Sequence, residues 1–159
     1  MTFLVAPITV ADQPAWIRMR RAMGPSWFTD DIESFTRTYF DSGTIQGLPH
    51  QVLVAREHNG SEPIGFAEVS LRDYAEGCHS SPVAYLEGWY VEPAWHHRGV
   101  GRALLIEAER WAVSQGCTEF ASDSEIDNAQ SIAAHQALGF TAVCSITCFH
   151  KRIAPETQS

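Results

Sequence analysis

The residues that point most directly to chemistry form a glycine turn between a strand and a helix. Arg98-Gly99-Val100-Gly101-Arg102 follows the strand-like run 83–91 and opens a stretch with helical spacing. Glycines let the backbone approach a ligand closely, and the first turn of a helix presents free N–H groups at the positive end of its dipole. With two arginines beside them, these groups suit a pyrophosphate. The alternative is an ordinary strand-to-helix loop whose glycines serve tight geometry.

The turn differs from the common nucleotide-binding motifs. No Gly-Lys-Ser or Gly-Lys-Thr follows it, and Leu104 occupies the place of the last glycine in a dinucleotide fingerprint. The sequence therefore predicts neither a Rossmann dehydrogenase nor a nucleotide hydrolase.

Two carboxylates stand out by their positions. Glu87 interrupts an otherwise apolar strand, where an inward charge is costly unless it has a partner or a role. Asp123 comes just after the short strand Phe120-Ala121, and ligand sites of α/β proteins gather at the carboxyl ends of strands. Each also has a structural interpretation, Glu87 as a paired carboxylate and Asp123 as a cap for the next turn.

Hydrophobic periodicity predicts the elements that would position these residues. The order of strands and helices indicates a mixed α/β sheet covered by helices. In chain order the pattern predicts a strand at Phe3–Ile8, a helix opened by Thr9 and stopped by Gly24-Pro25, a helix capped by Thr29, a loop over Ser42–His50, a strand at Gln51–Arg56, a turn at His58-Asn59-Gly60, a strand at Ile64–Leu71, a polar loop over Arg72–Pro82, a strand at Val83–Val91, a helix over Gly99–Gln115 ended by Gly116, a strand at Phe120-Ala121, a helix over Asn128–Leu138 and a last strand within Phe140–Phe149.

Length and charge limit the classes of protein. The 159 residues predict one domain over 1–159. With 19 acidic against 11 basic residues, the net charge of −8 argues against nucleic acid as the main partner and suits a cationic ligand, although acidity also serves solubility alone. The four cysteines form no CxxC pair, which predicts a reducing, cytoplasmic location. No signal peptide or membrane-spanning run is predicted.

The chain resembles the GNAT superfamily of N-acetyltransferases, and within it the aminoglycoside 6'-N-acetyltransferases. The strand, Pro93, the glycine turn and its helix are similar to the acetyl-CoA motif of the superfamily. The segments that carry the closer resemblance are Leu71-Arg72-Asp73-Tyr74, Ser80-Ser81-Pro82-Val83, Leu86-Glu87-Gly88, Gly116-Cys117-Thr118-Glu119-Phe120-Ala121-Ser122-Asp123 and His135-Gln136-Ala137-Leu138-Gly139-Phe140. They cover the last two-thirds of the chain. The resemblance implies a mostly antiparallel central sheet that is splayed at the cofactor site and carries helices on both faces.

The resemblance implies a site for acetyl-CoA as cosubstrate. The acceptor amine attacks the thioester directly in such enzymes, without a covalent enzyme intermediate. Backbone N–H groups around the end of the central strand are expected to bind the acetyl and pantetheine carbonyls and to stabilise the developing oxyanion. The residues implied are Trp89, Tyr90 and Val91 for the carbonyls, His97, Arg98, Gly99, Val100, Gly101 and Arg102 for the pyrophosphate, and Asn128 for the pantetheine arm.

The resemblance also implies an acidic acceptor site. A simple amine arrives as a cation and must lose a proton before it attacks, and carboxylates serve both needs. Tyr74, Glu87 and Asp123 are expected to line this site, with Trp27 at its rim and the two carboxylates as the catalytic residues. Which of the two takes the proton stays open.

His135 has two interpretations. It stands seven residues after Asn128 and so shares a helical face with it. Many GNAT enzymes have a tyrosine here that is thought to protonate the departing thiolate, so His135 is expected either at the cofactor or as a structural histidine bonded to a backbone carbonyl. The adjacent His96 and His97 have no third ligand nearby, and no metal site is predicted.

Three departures from the family pattern concern the details of the site. His96 replaces the usual Arg or Gln that opens the phosphate turn. Gly24 occupies the place of a tryptophan in the first helix, for which Trp27 is a substitute. Cys144 stands where close relatives have an acceptor-binding glutamate, and it shares a predicted strand face with Cys148 as a packing or interface residue.

The predicted function is acetylation of the 6'-amine of aminoglycosides by a cytoplasmic homodimer, the dimer being implied by the family's pairing through C-terminal strands. Two alternatives stay open. One is an acetyltransferase for another polyamine, amino sugar or protein amine, and the other is a non-catalytic acyl-CoA-binding domain.

Overall fold

The protein is described by a computed structural model over residues 3–24, 31–58, 60 and 62–153. One sheet forms its centre. The elements, in chain order, are β1 (Phe3–Pro7), α1 (Gln13–Ala22), α2 (Ile32–Ser42), β2 (Thr44–Ile45), β3 (Leu48–Glu57), β4 (Pro63–Arg72), β5 (Val83–Val91), α3 (Val100–Ser114), β6 (Phe120–Ser122) and α4 (Ala129–Ala137). The strand order is β1-β3-β4-β5-β6, with β2 added to β3. All pairs are antiparallel except β5 with β6, which is parallel.

Helices cover both faces of the sheet. On one face α3 packs its apolar stripe, with Val100, Leu104 and Ala108, against alternate residues of the strands. On the other face Trp16 and Met19 of α1, both fully buried, pack on the sheet beside α2. The predicted mixed, mostly antiparallel sheet with helices on both faces is confirmed. In the described part of the chain, no helix is long and apolar enough to cross a membrane.

Thr9 caps the turn that leads into α1, where the sequence predicts the start of a helix. The Asp12 carboxylate accepts hydrogen bonds from the Thr9 backbone N–H at 2.8 Å and from its hydroxyl at 2.9 Å. Arg56 on β3 adds an ion pair at 2.5 Å. Burial opposes ionisation of Asp12, but the hydrogen bonds from Arg56 and Thr9 outweigh it and lower the pKa of Asp12 below its ordinary value.

The ends of the other helices agree in part with the sequence. Gly116 ends α3 as predicted, at a positive φ of 84° that favours glycine. The predicted cap at Thr29 lies outside the described residues, and α2 begins instead after Asp31, whose side chain accepts from the Ser34 N–H at 2.8 Å. The predicted loop over Ser42–His50 contains β2 and the first residues of β3, a short hairpin without a strong alternation to signal it.

The predicted last strand within Phe140–Phe149 was wrong for the single chain. Residues 141–153 form no strand with any described residue, and the side chains of Val143, Ile146 and Phe149 are exposed. Cys144 and Cys148 are exposed as well, so they do not pack within the chain, and the alternative that they are interface residues stays a prediction. A segment rich in β-formers becomes a strand only when another strand supplies the ladder hydrogen bonds.

Candidate active site

The strands β5 and β6 separate where the sequence places the candidate residues. Their parallel pairing runs from Ala84 with Phe120 to Leu86 with Ser122, and it ends there. Beyond Leu86, the run 87–91 has a strand partner only on the β4 side. Because backbone groups of a strand point alternately to its two neighbours, half of the polar groups of this run face the gap. The splayed sheet that the sequence analysis expected is present.

A β-bulge lies at the mouth of this gap. Leu86 pairs with Val69 and Gly88 pairs with Glu68, so Glu87 has no partner residue on β4. The extra residue exchanges the faces of the strand: Leu86 faces α3 before the bulge, and Trp89 does so after it. Bulges re-aim side chains in this way and often lie beside active sites.

The glycine turn lies at the end of β5 and opens α3. Gly99 adopts a left-handed φ of 82° with open space around it, and the first helical bond runs from Ala103 N–H to the Gly99 carbonyl at 3.0 Å. The N–H groups of Val100, Gly101 and Arg102 therefore lack partners within the helix. His97, Arg98 and Arg102 are exposed around them. The turn is thus open to an anion.

Two features show how this turn is held. The His96 ring nitrogen Nε2 donates to the Val91 carbonyl at 2.8 Å and so ties the turn to the end of β5. Gly101 lies against Trp89, and a Cβ on it would come within 2.8 Å of the indole ring. The indole N–H of Trp89 is buried without a hydrogen-bond partner among the described residues. A free buried donor beside an open anion cradle fits a ligand that carries a polar chain and a phosphate.

The Glu87 carboxylate is engaged on both oxygens. Arg72, the last residue of β4, binds it through Nε to Oε1 at 2.9 Å and through a terminal nitrogen to Oε2 at 2.8 Å. The Ser70 hydroxyl donates to Oε1 at 2.5 Å. The structural interpretation of Glu87 as a paired carboxylate thus describes this state of the protein.

Asp123 lies just beyond the end of β6 and is held through Tyr85. The Tyr85 hydroxyl donates to Oδ2 of Asp123 at 2.7 Å. Burial and this neighbouring carboxylate raise the pKa of Tyr85, so its hydroxyl stays protonated and remains a donor. Oδ1 of Asp123 has no partner among the described residues, so this carboxylate keeps a free oxygen.

The loop before β5 carries Tyr74 and is anchored by a carboxylate. Oε1 of Glu119 accepts from the backbone N–H of His79 at 2.8 Å and from the N–H and hydroxyl of Ser80 at 2.7 and 2.6 Å. The Ser80 hydroxyl and the two backbone donors lower the pKa of Glu119. Tyr74 is 66% exposed in this loop and free to contact a ligand. The predicted rim residue Trp27 lies outside the described residues.

Asn128 and His135 both have structural contacts on α4. The Asn128 side chain caps the helix by accepting from the Ser131 N–H at 3.0 Å. His135 Nδ1 donates to the Ser131 carbonyl at 2.7 Å, and its Nε2 lies 2.8 Å from the Ser122 hydroxyl. Because the carbonyl can only accept, Nδ1 carries a proton. Of the two interpretations of His135, the bond to a backbone carbonyl is present.

An open cavity of about 950 Å³ lies between β6, α4 and the segment 141–148, and Tyr85, Asp123 and His135 are among its lining residues. No group of three potential metal ligands occurs among the residues that the structure describes.

Sequence reasoning missed Arg72 and Tyr85 as parts of the site. A signal for Arg72 exists: Glu68, Ser70 and Arg72 stand at every second position of an otherwise apolar strand and so share one face. The contacts of Ser70 and Arg72 with Glu87 follow only from the register of β4 against β5.

The chain is similar to known acetyltransferases. The acetyltransferase (GNAT) family matches residues 16–140. An aminoglycoside N(6')-acetyltransferase type 1 from Klebsiella aerogenes is 45% identical over 93% of this chain and 95% of its own length. One of the same name from Stenotrophomonas maltophilia is 42% identical over 92% of each chain. The structure of AAC(6')-Iy in complex with the bisubstrate analogue CoA-S-monomethyl-acetylneamine has a TM-score of 0.84 at 30% identity, covering 96% of this chain and 100% of the other.

Proposed function

This chain belongs to the acetyltransferase (GNAT) family, and we propose that it transfers the acetyl group of acetyl-CoA to the 6'-amine of aminoglycoside antibiotics. Relatives that match nearly the whole chain bear the name of this activity. The observation that carries the proposal is the gap between β5 and β6, which has a cradle for a phosphate at one end and a carboxylate with a free oxygen, Asp123, at its mouth.

Acetyl-CoA supplies an activated acetyl group as a thioester. The exposed turn from His97 to Arg102 holds its pyrophosphate through backbone N–H groups and two arginines. Backbone groups of Trp89, Tyr90 and Val91 that face the gap bind the acetyl and pantetheine carbonyls. Such donors are fixed by the sheet before the reaction, so they stabilise charge on the carbonyl oxygen without reorganisation. Asn128 at the start of α4 contacts the pantetheine arm, with His135 beside it.

Asp123 is the carboxylate that we assign to the proton of the acceptor amine. A cationic amine is drawn to the acidic site and loses a proton to Oδ1, directly or through a water molecule. The neutral nitrogen then forms a bond to the acetyl carbon as the carbon–sulfur bond breaks. CoA leaves as the thiolate, and the proton that the nitrogen loses on forming the amide balances it as the free thiol. Tyr85 keeps Oδ2 engaged and so fixes the direction in which Oδ1 points. Glu87 and Tyr74 line the acceptor side, and Trp27 is proposed at its rim.

The protein is proposed to act as a homodimer. The segment 141–153 exposes Val143, Ile146 and Phe149 and has no strand partner in the described part of its own chain. The free edge of β6 also lacks a neighbour there. Pairing of these segments between two copies would cover apolar side chains and complete the backbone hydrogen bonds of both. Gel filtration with light scattering measures the mass, and a monomer at micromolar concentration contradicts the proposal.

A cytoplasmic location and a role in antibiotic resistance complete the proposal. All four cysteines are free thiols, as in proteins of a reducing compartment. Acetylation converts a cationic amine into a neutral amide, so the modified antibiotic loses a charge with which it binds its target. A strain that expresses the protein is therefore expected to tolerate 6'-amino aminoglycosides.

The decisive experiment measures CoA release from acetyl-CoA by the purified protein. Tobramycin, an analogue with a hydroxyl in place of the 6'-amine, and spermidine are the three acceptors. We expect release with tobramycin and none with the analogue. Release with spermidine alone replaces the antibiotic by a polyamine as substrate. Acetyl-CoA binding without release for any amine indicates the non-catalytic alternative.

A further inference from the structure

Arg72 contacts Glu87 directly and contacts Tyr85, the residue that binds Asp123. Its guanidinium forms the two hydrogen bonds to Glu87 at 2.9 and 2.8 Å. Its Cζ atom also lies 3.5 Å from the centre of the Tyr85 ring, a cation–π distance. Tyr85 in turn holds Asp123 through its hydroxyl. One cation thus fixes Glu87 directly and Asp123 through an aromatic ring.

The sheet imposes this arrangement. Ser70 and Arg72 lie on one face of β4, and Ser70 pairs with Tyr85 across the ladder. The bulge places Glu87 without a partner residue, and its carboxylate turns back over β4 to reach both Ser70 and Arg72. Four hydrogen-bonding side chains therefore meet on two fixed strands rather than on mobile loops.

Arg72 changes the net charge of the cluster that it forms with Glu87 and Asp123. Glu87 and Asp123 would together present two negative charges to a cationic acceptor. Arg72 neutralises Glu87, because the pair is bidentate and only 35% and 22% of the two side chains are exposed. The cluster then presents a single uncompensated carboxylate, Asp123, just beyond the end of the strand β6 that borders the gap.

We propose that Arg72 is a positioning residue that serves as the internal counter-ion of Glu87 and leaves Asp123 as the uncompensated carboxylate of this pair. The inference rests on the proposed function and deepens it, since it assigns how the site selects a cation. An ammonium group is drawn to Asp123 at the gap and not to Glu87, so the reacting amine is placed by a charge difference between two neighbouring carboxylates.

The test is a double-mutant cycle on acceptor affinity. Glu87→Gln alone leaves the Arg72 cation without its counter-ion next to the acceptor. We expect the KM for tobramycin, and its calorimetric Kd in the presence of CoA, to rise about 10- to 100-fold. Arg72→Gln combined with Glu87→Gln removes both charges, and this double variant is expected to regain about tenfold or more of the lost affinity.

A direct contact between Glu87 and the acceptor predicts the opposite. In that case the double variant binds tobramycin no better than Glu87→Gln, and this result overturns the proposal. Arg72→Lys provides a second test because it keeps the charge without the bidentate geometry. It is expected to keep KM within about threefold and to lower kcat. A shift of KM as large as that caused by Arg72→Gln, which leaves the Glu87 charge uncompensated, contradicts a role as counter-ion.

Two controls separate this proposal from folding and from the function itself. Each variant should keep the acetyl-CoA affinity of the wild type, and Arg110→Gln, which removes an exposed arginine of α3, should leave every parameter unchanged. Failure of the proposed function is read from the wild type, by binding of tobramycin without CoA release. Failure of the Arg72 assignment is read from the variants, by the absence of recovery in the double variant.

Discussion

Replacement of Arg20 tests the buried ion pair that joins α1 to β4. Arg20 of α1 forms an ion pair with Glu68 of β4, and only 13% and 2% of these side chains are exposed. The Trp16 indole also donates to Glu68, at 2.7 Å. Arg20→Met keeps an unbranched, largely apolar side chain and removes the guanidinium, whose carbon lies 4.2 Å from the centre of the Phe35 ring. It leaves the Glu68 charge buried with one neutral donor.

The expected loss of stability is large because a buried charge loses its partner. Removing one partner of such a pair costs about 3–5 kcal/mol of the free energy of unfolding. For a chain of this length, each kcal/mol corresponds to a shift of roughly 2–4 °C in Tm, so a fall of about 6–20 °C is expected. Urea unfolding followed by circular dichroism gives the free energy, and thermal scanning gives Tm.

Arg18→Met is the matched control on the same helix. Arg18 pairs with Glu92, but its side chain is 55% exposed, so the same substitution should cost less than about 1 kcal/mol. Glu68→Gln added to Arg20→Met removes the buried charge and keeps an acceptor for Trp16, and it should recover most of the loss. If Arg20→Met costs no more than Arg18→Met, or if the double variant is no more stable, the buried-charge argument is refuted.

Three further predictions concern the site and its frame. Asp123→Asn should lower kcat for tobramycin by about 100-fold or more with little change in acetyl-CoA Kd, and an equal loss of cofactor affinity would make the residue structural. Gly101→Ala should raise the Kd for acetyl-CoA, because the added methyl group would meet the Trp89 ring at 2.8 Å. The overpacking should also lower the free energy of unfolding by about 1–3 kcal/mol. Unchanged acetyl-CoA binding contradicts this prediction. Asp12→Asn should lower the free energy of unfolding at neutral pH. The difference from wild type should shrink as pH falls through the lowered pKa of Asp12, because a carboxyl with a depressed pKa adds stability only above that pKa. A difference in urea unfolding that does not change with pH argues against the pair with Arg56.

The elements around the site were predictable where a local signal exists. β3, β4 and β5 alternate or form apolar runs with turn residues between them, and α3 has an apolar stripe that ends at Gly116. Each of these signals is contained in a short run of neighbouring residues, so the element can be predicted without knowledge of the rest of the fold. The position of Asp123 could be inferred in the same way, because it follows a short strand directly.

The contacts inside the site could not be inferred from such signals. That Arg72 binds Glu87, and that Tyr85 binds Asp123, depends on the register of three strands, and register is a property of the assembled sheet. The prediction of a last strand within Phe140–Phe149 was wrong for a related reason. Its composition favours a strand, but the described chain offers residues 141–153 no neighbour with which to pair.

The bulge at Glu87 connects the two halves of the site. In a regular β5, Leu86 and Gly88 would share the α3 face, and Trp89 would point to α1 and α2. One extra residue moves Trp89 to the face of α3, where it packs on Gly101 and the cofactor turn. Glu87, the extra residue itself, has its side chain on the opposite face, beside Arg72. A residue beside the proposed cofactor turn and a residue of the proposed acceptor side thus come from consecutive stretches of one strand, on opposite faces, because the register changes between them. A charged residue is therefore tolerated in the middle of a buried strand. At the bulge the regular pleat is interrupted, so the Glu87 side chain lies outside the core and pairs with Arg72 at the edge of the gap.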